Sequence, residues 1–415
     1  VMPIFYASSE TFKNTIRFSV EFADDVAPDA LSHAVREVRA RYPYFSVRVQ
    51  REQENFVLET NPEPFAISEA NRAVCLNSPE SNGHLLAFAF GGNTVSVDIS
   101  HFICDGNGLL PLVKTLAYEY IRERYGDGGV DAEDVWLSTA PVSEGEYRYP
   151  LPAAPLPQEE GEFHPPKMDS PFIFAPDFFD RGGVYAYHLE IPQSGLMRAA
   201  KAAGGSPVSF VCGMMYLATL RLFPDNGNDI VFQIPHNYRE AIGAPLSHDC
   251  LARVLFAKLS PASDGGNVAE LNAKLREQIA AGSGKAADVQ AVNGLIQLGA
   301  YLETLPLAEK RRTMQNVVAS ALATHTFGVS YTGNVSWGGM EKYIADVHPY
   351  AGERERDSEI SVEIFTVGDC FSLCVMQPGK NPAFARQLTA CFVENGVPCA
   401  LRGEERYLLP NYRLP

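Results

Sequence analysis

Residues 94–108 read TVSVDISHFICDGNG, and the fold turns on how this stretch alternates. In an extended chain successive side chains point to opposite faces, so Val95, Val97, Ile99 and His101 share one face and Ser96, Asp98 and Ser100 the other. The pattern predicts a strand that ends on an inward-pointing histidine. Asp105 follows after the apolar Phe102, Ile103 and Cys104. A carboxylate among such neighbours is costly to bury unless a cation pairs with it, so an arginine partner is expected. Gly106 is read as the turn into a helix over 109–124, whose Leu109, Leu112, Val113, Leu116, Tyr120 and Ile121 form one apolar stripe. A neutral imidazole takes a proton near pH 7, which activating an alcohol or amine requires. Asp105 is read as holding the loop rather than touching a substrate. Two plainer readings compete: His101 as a satisfied core histidine, and His101 with Asp105 as two ligands of a metal. No further His, Cys or carboxylate stands at ligand spacing, so no metal is expected.

Outward from this stretch, 85–90 and 94–100 form a hairpin around Gly91, Gly92 and Asn93. Upstream, 16–22 alternates as a strand, and Leu31, Ala34, Val35 and Val38 recur at helical spacing behind Pro28 and Asp29. Strand-like pieces follow at 46–50 and 56–59. Residues 141–176 hold nine prolines and little periodicity, which predicts an extended crossover. The expected division is therefore 1–140, a linker at 141–180, and 181–415. The last part alternates again. Strands are expected at 184–191, 229–234, 254–259, 327–332, 358–367 and 370–377, with helices at 207–223, 268–280, 308–323 and 382–394. Interleaved strands and helices in both halves predict two α/β sandwich units facing each other.

The chain has 415 residues, enough for two domains of ordinary size. Its net charge of −16, from 50 acidic and 34 basic residues, argues against a nucleic-acid backbone as partner, although a local basic patch can still hold one nucleotide. The longest apolar stretch, 208–220, is short and interrupted, and reads as a buried helix rather than a membrane span. Val1 to Glu10 carries no secretory signal pattern, and eight cysteines without a CxxC pair make no disulfide framework. A cytoplasmic protein with reduced cysteines is expected, and a monomer, because two internal domains suffice to build a site.

His101-Phe102-Ile103-Cys104-Asp105-Gly106, after a strand and before a long helix, resembles the HxxxDG motif of a superfamily that includes chloramphenicol acetyltransferase, peptide-synthetase condensation domains and BAHD acyltransferases. Three stretches match in order. Arg41-Tyr42-Pro43-Tyr44-Phe45 looks like the RxP segment of condensation-like enzymes, Ile234-Pro235-His236-Asn237-Tyr238-Arg239 like their PVNLR segment, and Val329-Ser330-Tyr331-Thr332-Gly333-Asn334 like their SNxG segment. The resemblance implies two chloramphenicol-acetyltransferase-like domains with a tunnel between them and His101 midway along it. Acyl-CoA, or an acyl group on a carrier protein, would enter from one face and a small-molecule acceptor from the other. His101 would act as general base without an acyl-enzyme intermediate. Ser330, Tyr331 and Asn334 become candidates for binding the oxyanion or substrate. Arg239, Arg17 and Arg48 compete as the partner of Asp105, while His236 reads as a loop histidine. Ser100 replaces the first of the paired histidines of condensation domains, and Trp337-Gly338-Gly339 is only superficially like the DFGWG segment of plant BAHD enzymes. The likeness is nearest to the alcohol-acetyltransferase-like branch. The expected function is acyl transfer from acyl-CoA to a hydroxyl or amine. Carrier-dependent condensation, or a non-catalytic member that binds an acyl ligand or a partner, remains open.

Overall fold

A computed structural model describes residues 3–8, 12, 14–126, 129–132, 134–152, 154–157, 170–322, 324–351, 359–411 and 413–415. The predicted ends at Ala323 and Ser358 and much of the proline-rich stretch, 158–169, lie outside the described residues. In chain order the first part forms β1 (Thr15–Phe22), α1 (Pro28–Arg41), β2 (Val47–Glu52), β3 (Asn55–Thr60), β4 (Ile67–Ser68), β5 (Leu86–Gly91), β6 (Thr94–Ser100), α2 (Gly106–Tyr125) and the one-turn α3 (Glu144–Tyr147). Next come β7 (Tyr185–Pro192), α4 (Gln193–Ala202), α5 (Pro207–Leu222), β8 (Ile230–Asn237), β9 (Ala252–Leu259), α6 (Val268–Gly282), α7 (Lys285–Glu303) and α8 (Leu307–Leu322). The chain closes with β10 (Phe327–Tyr331), β11 (Ile344–Ala351), β12 (Ile360–Val367), β13 (Cys370–Gln377), α9 (Ala383–Glu394) and β14 (Ala400–Arg406).

The strands form two main sheets. One has five strands in the order β11-β1-β6-β5-β4, the other seven in the order β14-β7-β13-β12-β10-β8-β9, and β2 and β3 make a separate hairpin. Helices α1 and α2 bury their apolar stripes in the first core; α5 is buried almost all round and packs with α9 behind the second sheet. A helix apolar on every face can only be interior, which explains the 208–220 run. No single described helix is long and apolar enough to cross a membrane, although α4 and α5, bent by 84°, pass as a pair by length and composition. All eight cysteines are free.

β11 lies far along the chain yet pairs antiparallel with β1, setting Ala351 opposite Ile16 and Pro349 opposite Phe18. The first sheet is thus completed by a strand from the second half. The proline-rich stretch also departs from a uniformly extended crossover. Ser143 and Glu146 cap each other reciprocally and nucleate α3, and the Glu146 carboxylate then forms a bidentate pair with Arg41, both side chains about 4% exposed.

Candidate active site

His101 follows the end of β6, where its backbone N–H donates to the Asn14 carbonyl at 2.9 Å. The ring lies 3.0 Å from the Cys104 carbonyl through Nδ1. A carbonyl only accepts, so Nδ1 carries a proton, and in an uncharged ring the lone pair is on Nε2. The Cys250 sulfur stands 3.6 Å from the same Nδ1, and burial pushes that thiol up to about 12, so it stays protonated.

Asp105 caps α2 by accepting the Gly108 N–H at 2.8 Å. The same carboxylate holds Arg239 through two hydrogen bonds of 2.7 and 3.0 Å and accepts the Leu251 N–H at 2.9 Å. Arg239 also donates to the Ser247 and Asp249 carbonyls. The expected arginine partner is therefore Arg239. Arg17 instead pairs with Asp98, its cross-strand neighbour on β6, and Arg48 with Glu59, its neighbour on β3. Gly106 does not supply a turn that only glycine can make, because it is absent from the positive-φ positions; the change of direction is made by Asp105, extended at φ −100° and ψ 179°. The glycine the packing requires is Gly108, where a Cβ would stand 2.2 Å from the His248 carbonyl.

The stretch Arg41 to Phe45 acts structurally. Tyr42, Tyr44, Phe45 and Trp136 surround the His248 ring, which bonds the Gly108 carbonyl through Nδ1 and the Tyr44 hydroxyl through Nε2. Burial holds His248 neutral, lowering it to about 4. Arg41, Glu146, Tyr44 and His248 thus tie the loop after β8 to α2.

Between the two sheets lies a cavity of about 290 Å³, with His101, Asp105, Gly106 and Asn107 on one side. Ile16, Phe18, Pro349 and Ala351 wall it from the first sheet. Its floor is the front of the second sheet, where Gln233 and Asn237 of β8, Gly328 and Ser330 of β10, and Ser361 and Glu363 of β12 alternate with the apolar residues of the back face. Ser330 and Tyr331 line the cavity as the sequence suggests. Asn334 does not: the chain turns at Gly333, φ 88°, and the exposed Asn334 accepts from Gln193 instead. His236 lies on β8 and approaches Asp288 to 3.3 Å, sharing it with Arg253.

Sequence reasoning passed over two wall residues. The Thr332 hydroxyl is buried without a hydrogen-bond partner among the described residues, and its methyl lies beside Gly106. Glu363 faces Ser330 across the parallel β10–β12 pair, and desolvation raises its carboxyl to about 7 against the opposing effects of the Ser330 hydrogen bond and of the nearby His101. The surface Glu363 keeps accessible opens on this cavity. A lone charged residue, Glu363, inside the strand ISVEIFTV was the available signal. Among the described residues no group of three or more His, Cys, Asp or Glu is placed to hold a metal.

No protein-family model and no curated protein sequence matches the chain. Solved structures do. TRI101 of F. sporotrichioides, complexed with coenzyme A and T-2, superposes with a TM-score of 0.59 at 11% identity over 93% of this chain and 96% of that one. Polyketide synthase associated protein 5 of Mycobacterium tuberculosis gives 0.56 at 14% identity, covering 91% and 93%. The first condensation domain of the CDA synthetase gives 0.55 at 14%, covering 91% of each chain. The chain shares their two-unit α/β fold across nearly its whole length.

Proposed function

We propose that the protein is an acyltransferase that moves an acyl group from acyl-CoA to a hydroxyl or amine acceptor, with His101 as general base. The observation that carries this reading is the His101 ring itself. Its Nδ1–H is committed to the Cys104 carbonyl, and the ring borders an inter-sheet cavity, so Nε2 is the nitrogen left to take the acceptor's proton. Acceptor oxygen or nitrogen attacks the thioester carbonyl as Nε2 removes its proton, and the imidazolium then returns that proton to the departing thiolate. The oxyanion needs a donor in the wall. Thr332, which lines the cavity and whose buried hydroxyl has no partner among the described residues, suits this better than Ser330, which hydrogen-bonds Glu363. Asp105 positions His101 indirectly, by fixing the loop and the start of α2. Coenzyme A in the structure of the similarly folded TRI101 supports a CoA donor, and the condensation-domain likeness keeps a carrier-bound donor as the alternative.

Thiol release from acetyl-CoA, followed with a panel of alcohols and amines, tests the proposal. His101→Ala is expected to lose about a hundredfold or more. Turnover that survives this substitution removes His101 from the chemistry. Turnover only with an acyl-carrier protein donor transfers the reading to carrier-dependent condensation.

A further inference from the structure

We infer that the acceptor is an amine that enters as its ammonium ion and is held by Glu363 on the cavity floor, which rests on the acyl-transfer reading above. The argument is one of charge balance. Three side chains able to carry a full charge line the cavity: Asp105, Arg253 and Glu363. Asp105 is neutralised by Arg239, and Arg253 by Asp288 at 2.6 Å, with a further bond to the Gly282 carbonyl. Among the described residues no lysine or arginine pairs with Glu363; its neighbour is the neutral Ser330 hydroxyl. A wall carboxylate without a counterion favours a ligand that brings one, because a desolvated charge is costly until it is paired. An anionic acceptor is disfavoured by the same charge, and an alcohol leaves it uncompensated.

The surroundings of Glu363 also suit the proton inventory. Ser330 meets it from β10, the buried Cys374 thiol stands opposite it on β13, and His101 acts on it across the cavity. An ammonium cannot attack a carbonyl until it loses a proton. The N–H bond to Glu363 breaks and an O–H bond forms on its carboxylate, freeing the nitrogen lone pair. The amine then bonds to the thioester carbon, His101 Nε2 takes the second N–H proton, and the C–S bond breaks with that proton passing to sulfur. Glu363 returns the first proton to solvent, so ammonium and acyl-CoA give amide, CoA thiol and one proton. A carboxyl that titrates near neutrality accepts and releases such a proton readily.

Hexylamine and hexan-1-ol, matched in size, separate the possibilities in the full-length protein with acetyl-CoA. The ratio of their kcat/KM values is expected to favour the amine and to fall about tenfold or more in Glu363→Gln, the usual worth of a charge-assisted hydrogen bond. Glu363→Ala, checked by thermal melting alongside it, is expected to do the same. A wild-type preference for hexan-1-ol, or a ratio untouched by both substitutions, overturns the proposal. Calorimetric binding of hexylamine to the protein without substrate gives a readout apart from turnover. Binding that Glu363→Gln weakens, with no thiol release from any donor, upholds the amine site while refuting acyl transfer; no binding and no amine turnover refutes the amine site.

Discussion

Replacing Asp105 with alanine removes the acceptor of four hydrogen bonds at once: two from Arg239, one from the Gly108 N–H and one from the Leu251 N–H. Arg239 is about 5% exposed and would be left charged and unpaired. Breaking a buried pair by deleting one partner costs about 3–5 kcal/mol, and loss of a helix cap adds about 1 kcal/mol. Against a total stability of about 5–15 kcal/mol this is a large share. At about 2–4 °C per kcal/mol the melting temperature should fall by about 10–20 °C. Because most of the loss is the stranded guanidinium, Asp105→Ala combined with Arg239→Ala should cost less than the sum of the single changes by about 1–3 kcal/mol. Denaturant melts of the four proteins measure this directly. A single mutant that melts within about 3 °C of wild type, or a strictly additive double mutant, would refute the account of Asp105 as a structural clamp.

Gly108→Ala sets a methyl against the His248 backbone and should cost about 1–3 kcal/mol, whereas Gly106→Ala, whose Cβ would lie 3.8 Å from the Thr332 methyl, should melt as wild type does. The reverse order of melting temperatures would refute the packing account of this turn. His248, lowered to about 4 in the fold from its ordinary 6.5, binds fewer protons folded than unfolded between those values. Its share of stability is therefore full above pH 6.5 and is lost as pH falls towards 4, by about 3 kcal/mol. His248→Gln should flatten the acid limb of stability against pH by about that amount, and an unchanged limb would show that the ring is not held neutral. Glu146→Gln should lower stability at neutral pH by weakening the Arg41 pair under the same loop, which a urea titration reads as a lower midpoint.

The need for a partner at Asp105 was legible because Phe102, Ile103 and Cys104 mark its site as apolar. Which arginine answers it was not, since Arg17 and Arg48 are excluded only by strand register, which places Asp98 and Glu59 opposite them. The β5–β6 hairpin and α1, α2 and α5 follow directly from periodicity. β11 escapes that reading because Asp346, His348 and Pro349 interrupt it, and the first two find partners on other strands, His348 with Glu21 of β1 and Asp346 with Ser372 of β13. α7 is obscured by Gly294 and Gly299 and by its few buried positions. Asn334 fell to a single left-handed glycine, and Glu363 to the ordinary habit of reading a strand by its apolar face. Residues 94–108 therefore revealed His101 at the strand end and Asp105 as its neighbouring clamp, while the remaining cavity wall depends on contacts between segments distant in the chain.

The borrowed strand has a consequence for how this protein is made. Until β11 emerges from the ribosome, roughly three hundred residues after β1, the nascent first sheet offers β1 as an open edge carrying Ile16, Phe18 and Val20. At about 5–20 residues per second that edge goes unpaired for roughly 15–60 s of translation. A chain truncated anywhere before residue 344 retains the sticky edge permanently, so excising the first half as an independent module should yield an aggregating fragment rather than a smaller folded protein.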